Sequence, residues 1–320
     1  MPIARNNGFS IQAPSAIVMI RPHHFAVNGQ TAADNAFQAA RAPHEGNMGQ
    51  LAHDEITAAA EKLRSAGITV HLFDDEGVTT PDAVFPNNWF STHAGGHIAI
   101  YPMKAANRRL ERRHDVIEML KIRYRVQDVI DYSGLEADGL FLEGTGAMVL
   151  DHIDRVAYAV ESDRTDPIAL ERFCTHFNFE PMVFAASDDF GTPIYHTNVL
   201  MCIATEFVLI GLDMIEHQSR KAEMLDRLTA SGRNIIALSN HQILEFAGNA
   251  IELQGKHGRI LALSERACRA LTPQQTAIIE LSAKLVPLSI PTIELAGGSV
   301  RCTIAGIHLT PRRSIASNAA

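Results

Sequence analysis

The feature that most restricts how this chain can fold is a spacing. Counting back from Cys302, in the run Gly297-Gly298-Ser299-Val300-Arg301-Cys302, polar residues recur in equivalent settings: Asn249, His196, Glu143 and Asn88, at steps of 53, 53, 53 and 55 residues. Each follows an aromatic residue or a turn and precedes an apolar, strand-like run, as in Phe85-Pro86-Asn87-Asn88, Phe141-Leu142-Glu143-Gly144, Tyr195-His196-Thr197-Asn198 and Phe246-Ala247-Gly248-Asn249. A constant period near fifty is too long for ankyrin or tetratricopeptide units. It fits a propeller-like array, in which equivalent positions of successive units face one axis. A cysteine, a histidine, a glutamate and asparagines would then meet in one central site.

Within each period the hydrophobic pattern reads as motif strand, turn, second strand, helix and third strand. The units run from Ala83 to Ile130, Phe141 to Ala186, His196 to Leu238 and Ala247 to Ile293. Helix starts are marked by Asp166-Pro167 and Thr272-Pro273, where a side-chain oxygen accepts orphan amides and a proline at the first helical position loses no hydrogen bond. The last motif strand, Val300 to His308, has no helix after it. A helix over 51–65 and a strand over 68–73 stand near the other end, so the ring should close by pairing the two termini. The expectation is one closed domain over 1–320, with the repeats in 15–309 and a disordered tail over 310–320. Residues 22–50, which hold Gly29, Gly46 and Gly49, read equally as a lid and as a flexible connection.

Such a ring needs a large core, and 46% hydrophobic against 20% charged residues in 320 supply one. A net charge of −8 argues against nucleic acid as a partner, since phosphate binding needs a concentrated excess of Lys and Arg. The one basic cluster, Arg108 to Arg113 with Arg123 and Arg125, is interrupted by Glu111, Asp115 and Glu118 and reads as a solvated helix face. Cys174, Cys202, Cys268 and Cys302 show no CxxC pairing, so neither a zinc knuckle nor a disulfide framework is indicated and a reducing cytoplasm is the expected compartment. The N-terminal residues lack the apolar core of a signal peptide, and no run approaches the roughly eighteen apolar residues of a spanning helix. Neither export nor a membrane partner is expected.

Cysteine, histidine and carboxylate on one axis are the parts of nucleophilic catalysis: the thiolate attacks, the imidazole moves protons, and the carboxylate orients the imidazole or grips a cationic substrate. This chemistry calls for no metal and no cofactor. Each residue also has a plainer reading. A small buried cysteine is a common core residue, most of the 15 histidines must be surface or structural, and Glu143 can be a capped turn residue in LEGTG. His196 is singled out by register, support that His23, His24 and His93 lack. LEGTG is not a phosphate loop, because the lysine and following helix of a P-loop are missing. The rival of another class is a non-catalytic propeller that binds amino acids or a protein, which would survive alkylation of Cys302.

In the order FPNNW, LEGTG, SDRTD, YHTN, FAGN and GGSVRC, residues 15 to 309 resemble the guanidino-group-modifying superfamily of arginine deiminases, dimethylarginine hydrolases and amidinotransferases, most of all its citrulline-utilisation hydrolase branch. The resemblance implies the pentein fold, a five-bladed pseudo-symmetric α/β propeller of ββαβ-like repeats with the site at its axis. It further implies Cys302 as nucleophile, His196 as general acid and base, and Glu143 gripping the guanidino group. The arginine of SDRTD matches the family's carboxylate-binding arginine, which points to Arg164, although the same run also reads as a helix start. Phe85, Asn88, Asn198 and Asn249 complete the implied substrate-binding set. Two departures carry weight: arginine deiminases have aspartates at the positions of Asn88 and Asn198. An amide can donate as well as accept, so it can bind the carbonyl oxygen of a neutral ureido group. The expected partner is thus a small arginine- or citrulline-like molecule. The expected reaction takes citrulline, supplied as such or formed from arginine, to ornithine, carbon dioxide and ammonia. A deiminase or dimethylarginine-type hydrolase that stops at citrulline is the alternative, and self-association is left open.

Overall fold

The computed structural model of the chain describes residues 10–32, 35–38 and 47–312. Among the described residues the strands form five three-stranded sheets. The innermost strands are Phe90–His93, Met148–Asp151, Met201–Ile203, Ile251–Gly255 and Ala305–Gly306, and residues from all five line one central chamber. Each pairs antiparallel with a middle strand: His97–Ile100, Val156–Val160, Phe207–Ile210, Gly258–Ser264 and Ala16–Pro22 respectively. A helical crossover then brings in a parallel outer strand, in turn Asp128–Asp131, Glu180–Phe184, Asn234–Ala237, Ala283–Leu288 and Thr69–Asp75. This is the five-bladed α/β propeller of the pentein fold. Its last blade is assembled from both ends of the chain, through Ile17 opposite Gly306 and Val18 opposite Ala305, which is the closure the unaccompanied motif strand required.

The local chemistry explains the elements. Middle strands such as Val156–Val160 are buried at every position, so they read as continuous apolar runs and not as alternating ones. The helix Met48–Ser65 buries Ala52, Ile56, Ala59, Ala60 and Leu63, the stripe of a 3.6-residue period, against its blade. Asp166 caps Pro167–Phe177 by accepting from the amides of Ile168 and Ala169, and Thr272 forms a capping box with Gln275.

Several expected boundaries are corrected. The motif residues do not lie within strands; they sit on turns or single helical turns, Pro86–Asn88, Gly144–Ala147 and Thr197–Leu200, that precede them. The outer strand of the first unit begins only at Asp128, and Tyr124 ahead of it makes an isolated bridge to Pro311. That bridge removes Pro311 from the expected disordered tail; residues 313–320 lie outside the described residues. The fourth crossover holds two helices, Glu265–Ala270 and Pro273–Ile279. The largest correction is the basic cluster. Ala106–Glu111 is a 3-10 turn in which Arg108, only 2% exposed, points inward and pairs with buried Glu111. An Arg-Glu pair three residues apart looks the same in sequence whether it faces solvent or core, and the packing of this turn decides for the core. Among the described residues no helix is long and apolar enough to cross a membrane.

Candidate active site

Because every motif turn precedes an innermost strand, the repeat delivers its polar side chains to the same end of the axis. Glu143, His196, Asn198 and Asn249 are at most 1% exposed, and Asn88 and Cys302 are 3% exposed. One carboxylate oxygen of Glu143 lies 2.9 Å from His196 Nε2, and the other accepts from the Lys104 amide at 3.1 Å. Asn198 Nδ2 and Asn249 Nδ2 donate to Cys302 Sγ at 3.2 and 3.3 Å. Asn249 is a bracket as well as a donor: its Nδ2 also reaches the Asn198 carbonyl, and its Oδ1 accepts from the Arg301 amide. Among the described residues Asn198 Oδ1 has no partner although it is buried, and a buried acceptor left unmatched costs free energy until something donates to it.

Two glycine positions show how closely these turns pack. A Cβ at Gly146 would overlap the Asn88 carboxamide and come within 2.8 Å of His196 Nδ1. A Cβ at Gly298 would meet the Phe85 ring at 2.8 Å, so the glycine makes room for Phe85 beside Cys302. Tyr195 donates from its hydroxyl to the Gly297 carbonyl at 2.7 Å, tying the histidine turn to the cysteine turn.

The cavity in front of Cys302 is small, about 20 Å³, room for a single water. Phe85, Asn88, Arg164, His196 and Cys302 line it; Glu143, Asn198 and Asn249 reach it through His196 and Cys302. All eight residues expected from sequence are therefore gathered here. Arg164 stacks over the Tyr195 ring at 4.7 Å and comes within 3.5 Å of Glu143 Oε2. Thr31 and Asn35 also line the cavity, so part of the 22–50 stretch covers it; residues 33–34 and 39–46 of that stretch lie outside the described residues.

Sequence reasoning missed Asp82 and Arg108. Arg108 is held by Glu111 at 2.9 and 3.0 Å, lies 3.6 Å from Asp82 and 3.5 Å from Glu143, and with the Asn88 amide turned to satisfy both its atoms, donates to Asn88 at 3.0 and 3.1 Å. Neither residue falls in the repeat register, which was the signal used.

Electrostatics divide the two catalytic candidates. Burial pushes the Glu143 carboxyl up, but Arg164, the His196 hydrogen bond and Arg108 outweigh it and hold Glu143 well below the usual carboxylate range. Burial pushes His196 down to about 4, Glu143 opposing and the two arginines reinforcing it. At neutral pH the site thus holds an ionised Glu143 and a neutral imidazole. The carboxylate requires a donor, so Nε2 carries the hydrogen and Nδ1 is the basic nitrogen of the ring.

A ring of five blades with a buried cysteine, histidine and glutamate at its axis agrees with the guanidino-group-modifying pentein superfamily that the motif order resembles. The chain belongs to that superfamily: residues 21–309 match the family model of the eukaryotic N,N-dimethylarginine dimethylhydrolases, which makes it a hydrolase of guanidino C–N bonds. No curated protein matches the chain. Among solved structures it is similar to the N-terminal domain of ArgZ bound to substrate, an arginine dihydrolase from the ornithine-ammonia cycle in cyanobacteria, with a TM-score of 0.72 and 15% identity over 91% of this chain and 97% of that one. AgrE with ornithine and NAD+ gives 0.72 and 15% over 93% of this chain and 40% of its own. The dimethylarginine hydrolase of Pseudomonas aeruginosa complexed with citrulline gives 0.61 and 14%, over 92% and 100%. At these identities the structural likenesses establish the fold.

Proposed function

We propose that the enzyme hydrolyses the ureido group of citrulline, supplied as such or formed from arginine, to ornithine, carbon dioxide and ammonia. The observation that carries this reading is the pair of carboxamides at the thiol. Asn198 donates to Cys302 Sγ and keeps a buried, unmatched oxygen for a substrate N–H. Around the reacting carbon such a cage offers donors as well as acceptors, which suits a ureido C=O flanked by N–H groups better than a guanidinium that has only donors.

In this mechanism neutral His196 takes the Cys302 thiol proton at Nδ1, and Sγ attacks the ureido carbon. The proton passes to the departing nitrogen, which leaves as ammonia, and a thiocarbamate to Cys302 remains. Water, losing its proton to His196, cleaves the C–S bond; the thiol is restored and the released carbamic acid falls apart to ornithine and carbon dioxide. Glu143 stays ionised throughout and holds the ring. Arg164 is assigned to the substrate α-carboxylate, where its planar fork and its stacking on Tyr195 favour bidentate recognition. Because the cavity holds only one water, Arg108 and Arg164 must give way around Glu143 as substrate enters.

The family match favours a second reading, a dimethylarginine-type hydrolase that stops at citrulline. Ammonia counted per substrate consumed separates the two. The dihydrolase reading expects two ammonia and one ornithine from arginine and one ammonia from citrulline; citrulline accumulating without further turnover would overturn it.

A further inference from the structure

Beyond the ring of motif residues, on the side of the innermost strands, the axis holds a second chamber of about 50 Å³, room for three or four waters. The cation among its described lining residues is Arg301. Arg301 donates from one guanidinium nitrogen to the Ile304 carbonyl at 3.0 Å, and among the described residues it forms no ion pair with a carboxylate. His152 and His308 line it too, their rings stacked 4.0 Å apart. Burial, with Arg301 and Arg155 nearby, keeps both imidazoles neutral, His308 pushed down to about 4 and His152 well below its usual value. Among the described residues the carboxylate on the wall is Glu252: one oxygen accepts from the Thr205 amide and hydroxyl at 2.8 and 2.6 Å, and the other lies 3.2 Å from Arg259 Nε without a hydrogen bond to it, so its charge is matched by Arg259 and not by Arg301. Arg301 is half-buried, its exposed part lying on the chamber; a guanidinium partly withdrawn from bulk water without a counter-charge is costly, and here the missing counter-charge has a space of its own.

We propose that this axial chamber binds a small monoanion, a halide or an oxyanion of bicarbonate size, on the guanidinium of Arg301. The volume excludes phosphate esters and amino acids. The site is wired to the thiol: the Arg301 amide donates to Asn249 Oδ1, and the same carboxamide donates to Cys302 Sγ. An occupant that steadies Arg301 therefore also steadies a hydrogen bond on the thiol, which gives the chamber influence over turnover without contact with substrate. The bicarbonate case rests on the dihydrolase reading, since bicarbonate forms from its product; the halide case does not, so the two can fail separately.

The test combines wild-type crystals soaked in sodium bromide with thermal melts in bromide, chloride, bicarbonate and gluconate at constant ionic strength. The expected results are an anomalous bromide peak beside Arg301 and a saturable rise in Tm of about 4 °C at a hundredfold excess over Kd. Gluconate, too large to enter, should give no rise, and neither should R301Q in any of the salts. Equal shifts with gluconate, or shifts retained in R301Q, would overturn the site. A bromide peak without a solution shift would mark an adventitious ion only and overturn it as well. If R301Q fails to fold, the wild-type peak and the bromide-gluconate contrast decide. A bicarbonate effect absent beside a halide effect would remove the product link alone.

Discussion

Asn198 does two things that an aspartate in its place could not: it donates to the thiol and keeps an acceptor free beside it. An aspartate would present two acceptors to a sulfur that must carry negative charge. Two predictions belong at this scale. Cys302→Ala should lose turnover by at least roughly a thousandfold with little change in melting, because the covalent step disappears while only one sulfur leaves a packed turn; activity within tenfold of wild type would end the nucleophile assignment. Asn88→Asp should shift preference toward arginine. Its carboxylate would pair with Arg108, now bonded to the Asn88 oxygen, and would offer only acceptors to a ureido oxygen. A mismatched buried contact costs about 1–3 kcal/mol, so roughly ten- to a hundredfold discrimination against citrulline is expected. Initial rates on each substrate measure it, and a variant as fast on citrulline as wild type would remove Asn88 from ureido recognition.

At the scale of elements, the single turn Gly144–Ala147 fits between the Asn88 turn and the His196 turn with no room for a methyl group. Gly146→Ala should therefore lower kcat by about a hundredfold, the usual consequence of displacing reacting groups by an ångström, while far-UV circular dichroism stays unchanged. Thr272→Ala is the contrasting case. It removes a capping box on the outer helix Pro273–Ile279 and should cost about 1 kcal/mol of stability in urea titration with kcat unaltered. An unchanged kcat for Gly146→Ala, or a rate loss for Thr272→Ala, would contradict the placement of both elements.

For the whole molecule, the closed ring buries titratable groups that a looser fold would leave wet, and this sets its response to acid. His93 is 2% exposed, bonds Ser91 at 2.6 Å, and is held neutral, well below its usual value, by burial and then by the positive charge of its neighbours. A histidine with a lowered folded-state pKa adds stability that is whole above the unfolded value near 6.5 and is lost as pH falls below it, because the unfolded chain takes up the proton first. Urea titrations between pH 7 and 5 should show wild type losing up to about 1 kcal/mol per pH unit more than His93→Gln below pH 6.5. Parallel curves would show that His93 protonates in the folded state.

What was legible in the sequence is what the chain encodes locally and repeats. The period, the order of elements in each unit, the terminal closure and the gathering of Cys302, Asn249, His196, Glu143 and Asn88 follow from the same apolar pattern recurring with a polar residue at its entrance; Phe85, Asn198 and Arg164 were legible only through the family resemblance of their motifs. Tertiary structure alone decided where the charges outside that register go. Arg108 and Asp82 enter the site, Arg301 faces an axial chamber, and the 3-10 turn at Ala106–Glu111 turns inward, because the burial of a charge depends on partners far away in the chain: Arg108 needs Glu143 and Asp82, and Arg301 is tied to Asn249. The hydrophobic pattern reports which residues leave water, but the pairing that makes a buried charge tolerable exists only once the blades have closed.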